Sequence, residues 1–136
     1  MRRIDFIVVH CTATPLTTTV ESIQRYWKNV LGWVNPGYHY MIELNGKKHQ
    51  LQPLDKPTNG VRGWNANSIH IATIGGHKVD DRTPKQKTEL YFLIKALQYK
   101  YPNAKLRGHR DFPNVAKACP RYNAVEWFEN YIPYEN

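Results

Sequence analysis

Three residues with metal-binding side chains lie far apart in this sequence: His10, His109 and Cys119. His10 follows an apolar run, His109 lies in the motif Gly-His-Arg-Asp, and Cys119 lies in Lys-Ala-Cys-Pro. Zinc binds imidazole nitrogen and thiolate sulfur; structural sites usually have four protein ligands, whereas catalytic sites have three and leave one position for water. If the fold brings these three side chains together, they predict one catalytic zinc ion per chain.

Two of these residues also have a plain structural interpretation. His109 fits a surface histidine, and Cys119 fits a buried thiol. The other cysteine, Cys11, directly follows His10, at the end of a predicted strand that could extend to include it. Because side chains alternate along a strand, Cys11 is expected to point away from the face that His10 uses. There it would pack as a small apolar side chain.

Four further histidines accompany the candidate ligands. His39 and His70 lie in predicted strands. For each of them a contact with substrate and a packing role are both open interpretations. His49 and His77 are expected to be exposed to solvent.

The elements that must position these residues begin with an apolar strand. Residues 4–10 are almost continuously apolar and β-branched, which predicts a central strand covered on both faces. Asn45 and Gly46 predict a hairpin turn, and residues 55–67 read as a loop. Further strands are predicted at residues 38–44, 47–51, 69–74 and 104–107.

Three helices are predicted from capping residues and apolar spacing. Thr18 with Glu21 and Thr83 with Gln86 have the spacing of capping boxes, and Asn123 would cap a last helix over residues 123–131. The residues expected to face the core are Ile23, Trp27, Val30 and Leu31 in the first helix and Leu90, Leu93, Ile94 and Leu97 in the second. The order β-α-β-β-β-α-β-α predicts an α/β fold, a single domain over residues 1–136 with a mixed central sheet flanked by about three helices.

Composition narrows the class of partner. The 136 residues carry a formal charge of +8, which favours a polyanion such as nucleic acid or an anionic cell wall. Nucleic acid is disfavoured because there is no basic run of five residues and no stacking aromatic motif. The first apolar run is too short for a signal peptide, and no stretch approaches the roughly 20 apolar residues of a membrane span. We therefore expect cytoplasmic synthesis, delivery by another factor, and a monomer.

Four motifs, in this order, resemble the zinc-dependent N-acetylmuramoyl-L-alanine amidases. They are FIVVHCTAT at 6–14, GYHY at 37–40, NANSI at 65–69, and GHRD at 108–111 followed by KACP at 117–120. The resemblance covers about residues 4–131. The family includes the phage lysozyme-type endolysins and shares its fold with the peptidoglycan-recognition proteins.

The resemblance implies that His10, His109 and Cys119 bind zinc and that Tyr38 and Lys117 are catalytic. It also implies a bacteriolytic hydrolase of phage or prophage type, which cleaves the amide between N-acetylmuramic acid and L-alanine in peptidoglycan or muropeptides. The alternative is a non-catalytic peptidoglycan-binding module of the same fold. Members that only bind typically lack the cysteine ligand, so Cys119 favours an enzyme.

Two carboxylates are rivals for the role of proton acceptor, because a carboxylate is a common base in metallopeptidases. Strand alternation places Glu43 away from Tyr38, and Asp111 fits better as the residue that orients a ligand histidine or caps the local turn. The sequence also departs from the family pattern. Several relatives carry a histidine where this chain has Gly60, and the loop over residues 112–116 is longer than in the shortest phage members.

Overall fold

A five-stranded sheet forms the centre of the molecule. The computed structural model describes residues 2–115 and 117–133, and within them the strands lie in the order β3-β2-β4-β1-β5. All neighbouring pairs are parallel except β2 with β3, which forms the predicted hairpin. The strands are β1 Phe6–Cys11, β2 Tyr40–Ile42, β3 Lys48–Gln50, β4 Ser68–Thr73 and β5 Lys105–Gly108.

Helices cover both faces of this sheet. The part of the chain that the structure describes contains three α-helices, α1 Val20–Asn29, α2 Pro84–Lys100 and α3 Ala124–Asn130, and two short 3-10 segments, Asn65–Asn67 and His109–Asp111. The predicted mixed α/β architecture is confirmed, although most elements are shorter than expected. No helix of the described residues is both long enough and apolar enough to cross a membrane.

The apolar core has two main parts, one on each side of the sheet. On one side α2 packs the predicted stripe of Leu90, Leu93, Ile94 and Leu97 against the sheet. On the other side α1 packs Val20, Ile23 and Trp27 against Met41 and Ile74. Strand β1 lies between β4 and β5, and its middle residues are fully buried, which explains why they are apolar without alternation.

The start of α1 differs by one residue from the prediction. Thr19 is the N-cap, and its hydroxyl accepts a hydrogen bond from the Ser22 amide at 3.2 Å. The amide of Thr18 instead donates to the Pro15 carbonyl in the preceding turn. The predicted capping box of Thr18 and Glu21 is therefore wrong, because that turn occupies Thr18 and the helix begins one position later.

The end of α1 also differs from the prediction. Ile23 and Trp27 are buried as expected, but Val30 is 66% exposed and Leu31 is 42% exposed. The helix ends before both residues, so the helical spacing that would have turned them toward the core does not continue. Gly32 then reverses the chain with a φ of +69°, a conformation that glycine adopts readily.

The N-terminus of α2 is tied to the sheet by one buried side chain. Gln86 forms the predicted capping box with Thr83 and accepts from its amide at 3.0 Å. The Gln86 side-chain amide also donates to the carbonyls of Ile42 at 3.2 Å and Ile74 at 2.9 Å. The same side chain thus satisfies backbone groups of the helix start and of two neighbouring segments at the end of the sheet.

We expect Gln86→Leu to lower the free energy of unfolding by roughly 2–4 kcal/mol, because it leaves buried backbone groups without partners. Denaturant unfolding of the variant and the wild type measures the difference. Gln24→Leu is the matched control, since Gln24 is exposed on α1 and should change stability by less than about 0.5 kcal/mol. Equal effects of the two substitutions would contradict this role for Gln86.

Candidate metal centre

His10 and His109 meet at the carboxyl end of two adjacent parallel strands. Val9 in β1 is level with Gly108 in β5, so the next residue of each chain segment is a histidine. Their Nδ1 atoms lie 3.2 Å apart. Two nitrogen ligands of one tetrahedral zinc ion should be about 3.3 Å apart, given zinc–nitrogen distances of 2.0–2.1 Å. The pair therefore has the spacing that a shared metal ion requires.

Cys119 completes a three-ligand cluster. The chain returns beside β5 after the 3-10 turn, where the amide of Arg110 donates to the Cys119 carbonyl at 2.9 Å. The Cys119 sulfur accepts a hydrogen bond from the Cys11 backbone amide at 3.1 Å. The possible ligand atoms of His10, His109 and Cys119 all lie within 4.8 Å of one another. The structure thus brings together the three residues that the sequence singled out.

The two histidines of the cluster are in the protonation state that allows them to bind a cation. Burial, followed by the neighbouring His70, His109 and Lys117, lowers the pKa of His10 well below its usual value. Burial and then Lys117 lower the pKa of His109 to about 4. Both imidazoles are therefore neutral at pH 7 and each has a nitrogen lone pair to offer.

The thiol of Cys119 is protonated without a cation beside it. The neighbouring Cys11 thiol, together with burial, raises the pKa of Cys119. A divalent cation at the cluster would reverse this, because metal binding releases the thiol proton. Two neutral imidazoles and one thiolate form a donor set of the kind that zinc prefers. The residues present therefore fit the ion.

Cys11 is buried, as predicted, but it is closer to the cluster than strand alternation suggested. Its side chain packs against Gly76, where an added Cβ would lie 2.7 Å from the Cys11 sulfur. Its thiol donates to the Gly76 carbonyl over a long distance of 3.9 Å, and it lies near enough to Cys119 to affect the pKa of that thiol. The Cys119 sulfur contacts the backbone amide and carbonyl of Cys11, the last residue of β1, which brings the two cysteines together.

Tyr38 lies beside the cluster on one side. Its ring centroid is 5.0 Å from that of His10, and it packs edge-on against Trp27 at 5.5 Å. It precedes β2 and is not part of the strand predicted over residues 38–44. Burial raises the pKa of Tyr38, so its hydroxyl stays protonated at neutral pH. Tyr38 also lines a groove of about 500 Å³ together with Thr12, Thr14, Thr18, Ser22, Ile23, Tyr26 and Trp27.

Lys117 lies in a second groove, which reaches the cluster through His109. The lysine is exposed, yet it is near enough to depress the pKa of His10 and His109. This groove has a volume of about 600 Å³ and is lined by Trp33, Asn59, Gly60, Val61, Arg62, Trp64, His109, Pro113, Asn114, Val115 and Lys117. One groove thus contains Tyr38, which contacts His10, and the other contains Lys117 and His109.

The remaining histidines do not line either groove. His39 and His70 are fully buried, so the interpretation that they contact substrate is wrong. His70 instead hydrogen-bonds through its Nδ1 with His10 Nε2 at 2.8 Å. Sequence reasoning missed this contact. It follows from the register of β1 and β4, where His10 is level with Ala72 and His70 is two positions earlier on the same face.

The two rival carboxylates have structural partners. Glu43 accepts a hydrogen bond from His49 at 2.7 Å within the hairpin. The prediction that His49 is exposed is wrong, because its packing beside Glu43 leaves it half-buried, whereas His77 is exposed as predicted. Asp111 accepts from the Gly108 amide at 2.8 Å, which confirms its predicted role as the cap of the local turn. Neither carboxylate belongs to the three-residue cluster.

The fold and the site define an α/β protein with three candidate metal ligands at the carboxyl edge of its parallel strands. The chain belongs to the N-acetylmuramoyl-L-alanine amidase family, whose sequence model matches residues 1–122. The resemblance seen in the sequence motifs is thereby confirmed.

Individual relatives agree with this assignment. An endolysin of Escherichia phage T7 is 33% identical over 133 residues, which cover 92% of this chain and 85% of that protein. The N-acetylmuramoyl-L-alanine amidase LysC of Clostridium intestinale has 29% identity and a TM-score of 0.83, covering 94% of this chain and 84% of its own. The bumblebee peptidoglycan-recognition protein PGRP-SA has a TM-score of 0.81 at 20% identity, over 98% of this chain and 84% of its own, a likeness that shows the fold alone.

The two cysteines provide a direct test of the ligand assignment. Cys119→Ala should lose stoichiometric zinc, because it removes the only sulfur in the three-ligand cluster. Cys11→Ala is the matched control: it keeps the backbone amide that donates to Cys119 and should keep zinc. Metal analysis of the two purified variants decides between them. Zinc retained by the Cys119 variant and lost by the Cys11 variant would overturn the assignment.

Proposed function

We propose that this protein is a zinc-dependent hydrolase that cleaves the amide between N-acetylmuramic acid and L-alanine in peptidoglycan. The observation that carries the proposal is the convergence of His10, His109 and Cys119 to within 4.8 Å, with a groove on each side. Family membership narrows the reaction to this amide. The endolysins among its relatives suggest a bacteriolytic protein that reaches the cell wall after release.

In this proposal the cluster holds one zinc ion and two neighbouring residues assist the reaction. Zinc bound there would supply a Lewis acid that polarises the amide carbonyl and acidifies a water molecule. Lys117, at the rim of one groove, offers positive charge to the oxyanion that develops as the amide is attacked. Donors and cations placed where charge develops are a large source of catalysis.

Tyr38 acts from the other groove. Because burial keeps its hydroxyl protonated, we propose that it donates a hydrogen bond to orient the attacking water, and that it is not the base that removes a proton. Its edge-on packing against Trp27 at 5.5 Å holds the ring beside His10.

The substrate class agrees with the charge of the protein. A formal charge of +8 attracts the chain to an anionic cell wall by long-range electrostatics. The grooves on the two sides of the metal centre would receive the glycan and the peptide of one muropeptide. We propose that the protein acts as a monomer.

A second candidate function is a peptidoglycan-binding module without turnover. The fold alone permits it, since peptidoglycan-recognition proteins share the fold. The complete ligand set and the placement of Tyr38 and Lys117 favour the enzyme, because a binding module needs none of these. Hydrolysis of purified cell wall separates the two functions.

Digestion of purified sacculi tests the bond that is cleaved. We expect new L-alanine amino termini and no new reducing sugar ends, because the amide is the bond that a zinc Lewis acid would activate. Amino-terminal labelling and a reducing-sugar assay on one digest measure both products. New reducing ends would indicate a glycosidase, and binding without either product would indicate the non-catalytic module.

Substitution of the two assisting residues tests their roles. Tyr38→Phe and Lys117→Ala should each keep stoichiometric zinc and lose about 10²–10³-fold in kcat, the usual effect of removing a group that stabilises the transition state. The matched controls are Tyr99→Phe and Lys105→Ala, which alter exposed residues on α2 and β5 and should keep wild-type kcat. A variant of Tyr38 or Lys117 with wild-type kcat at saturating substrate would refute its assigned role.

A further inference from the structure

His70 lies directly behind one of the metal ligands, and the function proposed above does not use it. It is fully buried in β4, and its Nδ1 lies 2.8 Å from His10 Nε2. Its Nε2 lies 2.8 Å from the side-chain oxygen of Asn65. These contacts form a continuous series of hydrogen bonds from Asn65 through His70 to His10.

Asn65 determines which atom donates and which accepts in each hydrogen bond of this series. Two backbone amides, those of Gly60 at 3.1 Å and Val61 at 2.8 Å, donate to the same side-chain atom of Asn65. A backbone amide can only donate, so this atom must be the carbonyl oxygen and not the amide nitrogen of Asn65. The Asn65 oxygen is therefore an acceptor toward His70 as well.

The protons of both histidines follow from that oxygen. His70 must carry its hydrogen on Nε2 in order to donate to Asn65. His70 is fully buried, and its two ring nitrogens meet an imidazole and an amide oxygen, neither of which is an anion that would stabilise a buried imidazolium. Its Nδ1 therefore has a lone pair and accepts from His10 Nε2. His10 then carries its own hydrogen on Nε2, and its Nδ1 is left bare. That Nδ1 is the atom which lies 3.2 Å from His109 Nδ1.

The backbone of the neighbouring loop is shaped to accommodate the His70 ring. An added Cβ at Gly60 would lie 2.2 Å from His70 Nδ1, so no side chain can occupy position 60 while His70 is in place. Gly60 also lines the groove that contains Lys117, and thus separates the His70 ring from that groove. The absence of a side chain at position 60 is therefore a condition for the contact between His70 and His10.

We propose that His70 is a positioning residue for the metal centre, which through Asn65 holds His10 in the tautomer and orientation that present Nδ1 to zinc. The proposal rests on the proposed function, because it assumes that His10 is a zinc ligand. A hydrogen-bonded partner behind a ligand histidine is expected to fix the ring and to raise metal affinity.

The tautomers can be measured in the metal-free protein. Nitrogen-15 NMR of uniformly labelled protein distinguishes a protonated ring nitrogen from a bare one for each histidine. We expect His10 and His70 both to carry hydrogen on Nε2 and neither to carry it on Nδ1. Hydrogen on Nδ1 of His10 would overturn the proposal, whatever the activity of the enzyme.

Two substitutions at residue 70 separate hydrogen bonding from packing. His70→Leu fills the space but accepts no hydrogen bond, and should weaken zinc binding by about 10–100-fold, the usual cost of losing such a partner. His70→Asn can place its side-chain oxygen near the position of Nδ1, accept from His10, and recover most of the affinity. Competition with a zinc chelator measures the zinc affinity of the two variants and of the wild type.

His39→Asn is the matched control for damage to the core. His39 is equally buried and neighbours His70, but its own contacts are with the Lys56 carbonyl, Arg2 and the His70 backbone amide. The shorter asparagine side chain would keep an acceptor for that amide and lose the other contacts. We expect this variant to lower stability and to keep wild-type zinc affinity.

The outcomes are distinct. Wild-type zinc affinity in His70→Leu, or equal losses in His70→Leu and His39→Asn, would overturn the positioning role. A wild-type protein that binds no zinc would overturn the proposed function as well, while the tautomers in the metal-free protein would still show whether the chain of hydrogen bonds exists.

Discussion

The register of three parallel strands is the constraint on which the cluster of His10, His109 and Cys119 depends. β1 is paired on one side with β4 and on the other with β5. The register of β1 therefore determines which residues of β4 and β5 lie beside each other at the same level of the sheet. With Val9 level with Gly108, His10 and His109 follow at the same edge of the sheet. A shift of β1 by one residue would turn His10 to the opposite face. The buried apolar side chains of β1 prevent such a shift because they must remain in the core.

Three imidazoles are buried in or directly beside this sheet. His10, His39 and His70 are each almost fully buried, and burial of polar groups without partners is costly. Each one is hydrogen-bonded: His10 to His70, His70 to Asn65, and His39 to the Lys56 carbonyl. All three are neutral, since burial lowers the pKa of each. The hydrogen bonds that satisfy these buried imidazoles thus extend to His10, one of the three candidate metal ligands.

A residue at the N-terminus organises the loop around this network. The guanidinium of Arg2 donates to the carbonyls of Leu54, Lys56, Asn65, Ala66 and Ser68. Arg2 therefore connects the two ends of the loop between β3 and β4, and one of its contacts is with His39 itself. The loop carries Gly60 and Asn65, so its fixed path supports the oxygen that accepts from His70. The guanidinium of Arg2, which lies outside this loop in the sequence, thus holds the loop in a defined conformation.

Some features of this protein were determined by local sequence patterns. The capping box of Thr83 and Gln86, the Asn45-Gly46 turn and the stripe of α2 depend on residues a few positions apart, so they could be predicted without the fold. The motifs around His10, His109 and Cys119 likewise singled out the three candidate ligands that the fold brings together. Other features depended on tertiary contacts. The burial of His39 and His70, the partner of His10 and the need for glycine at position 60 follow from strand register and from the path of a loop. Since these contacts join residues that are distant in the chain, no local pattern contains them, and only the tertiary structure decided them.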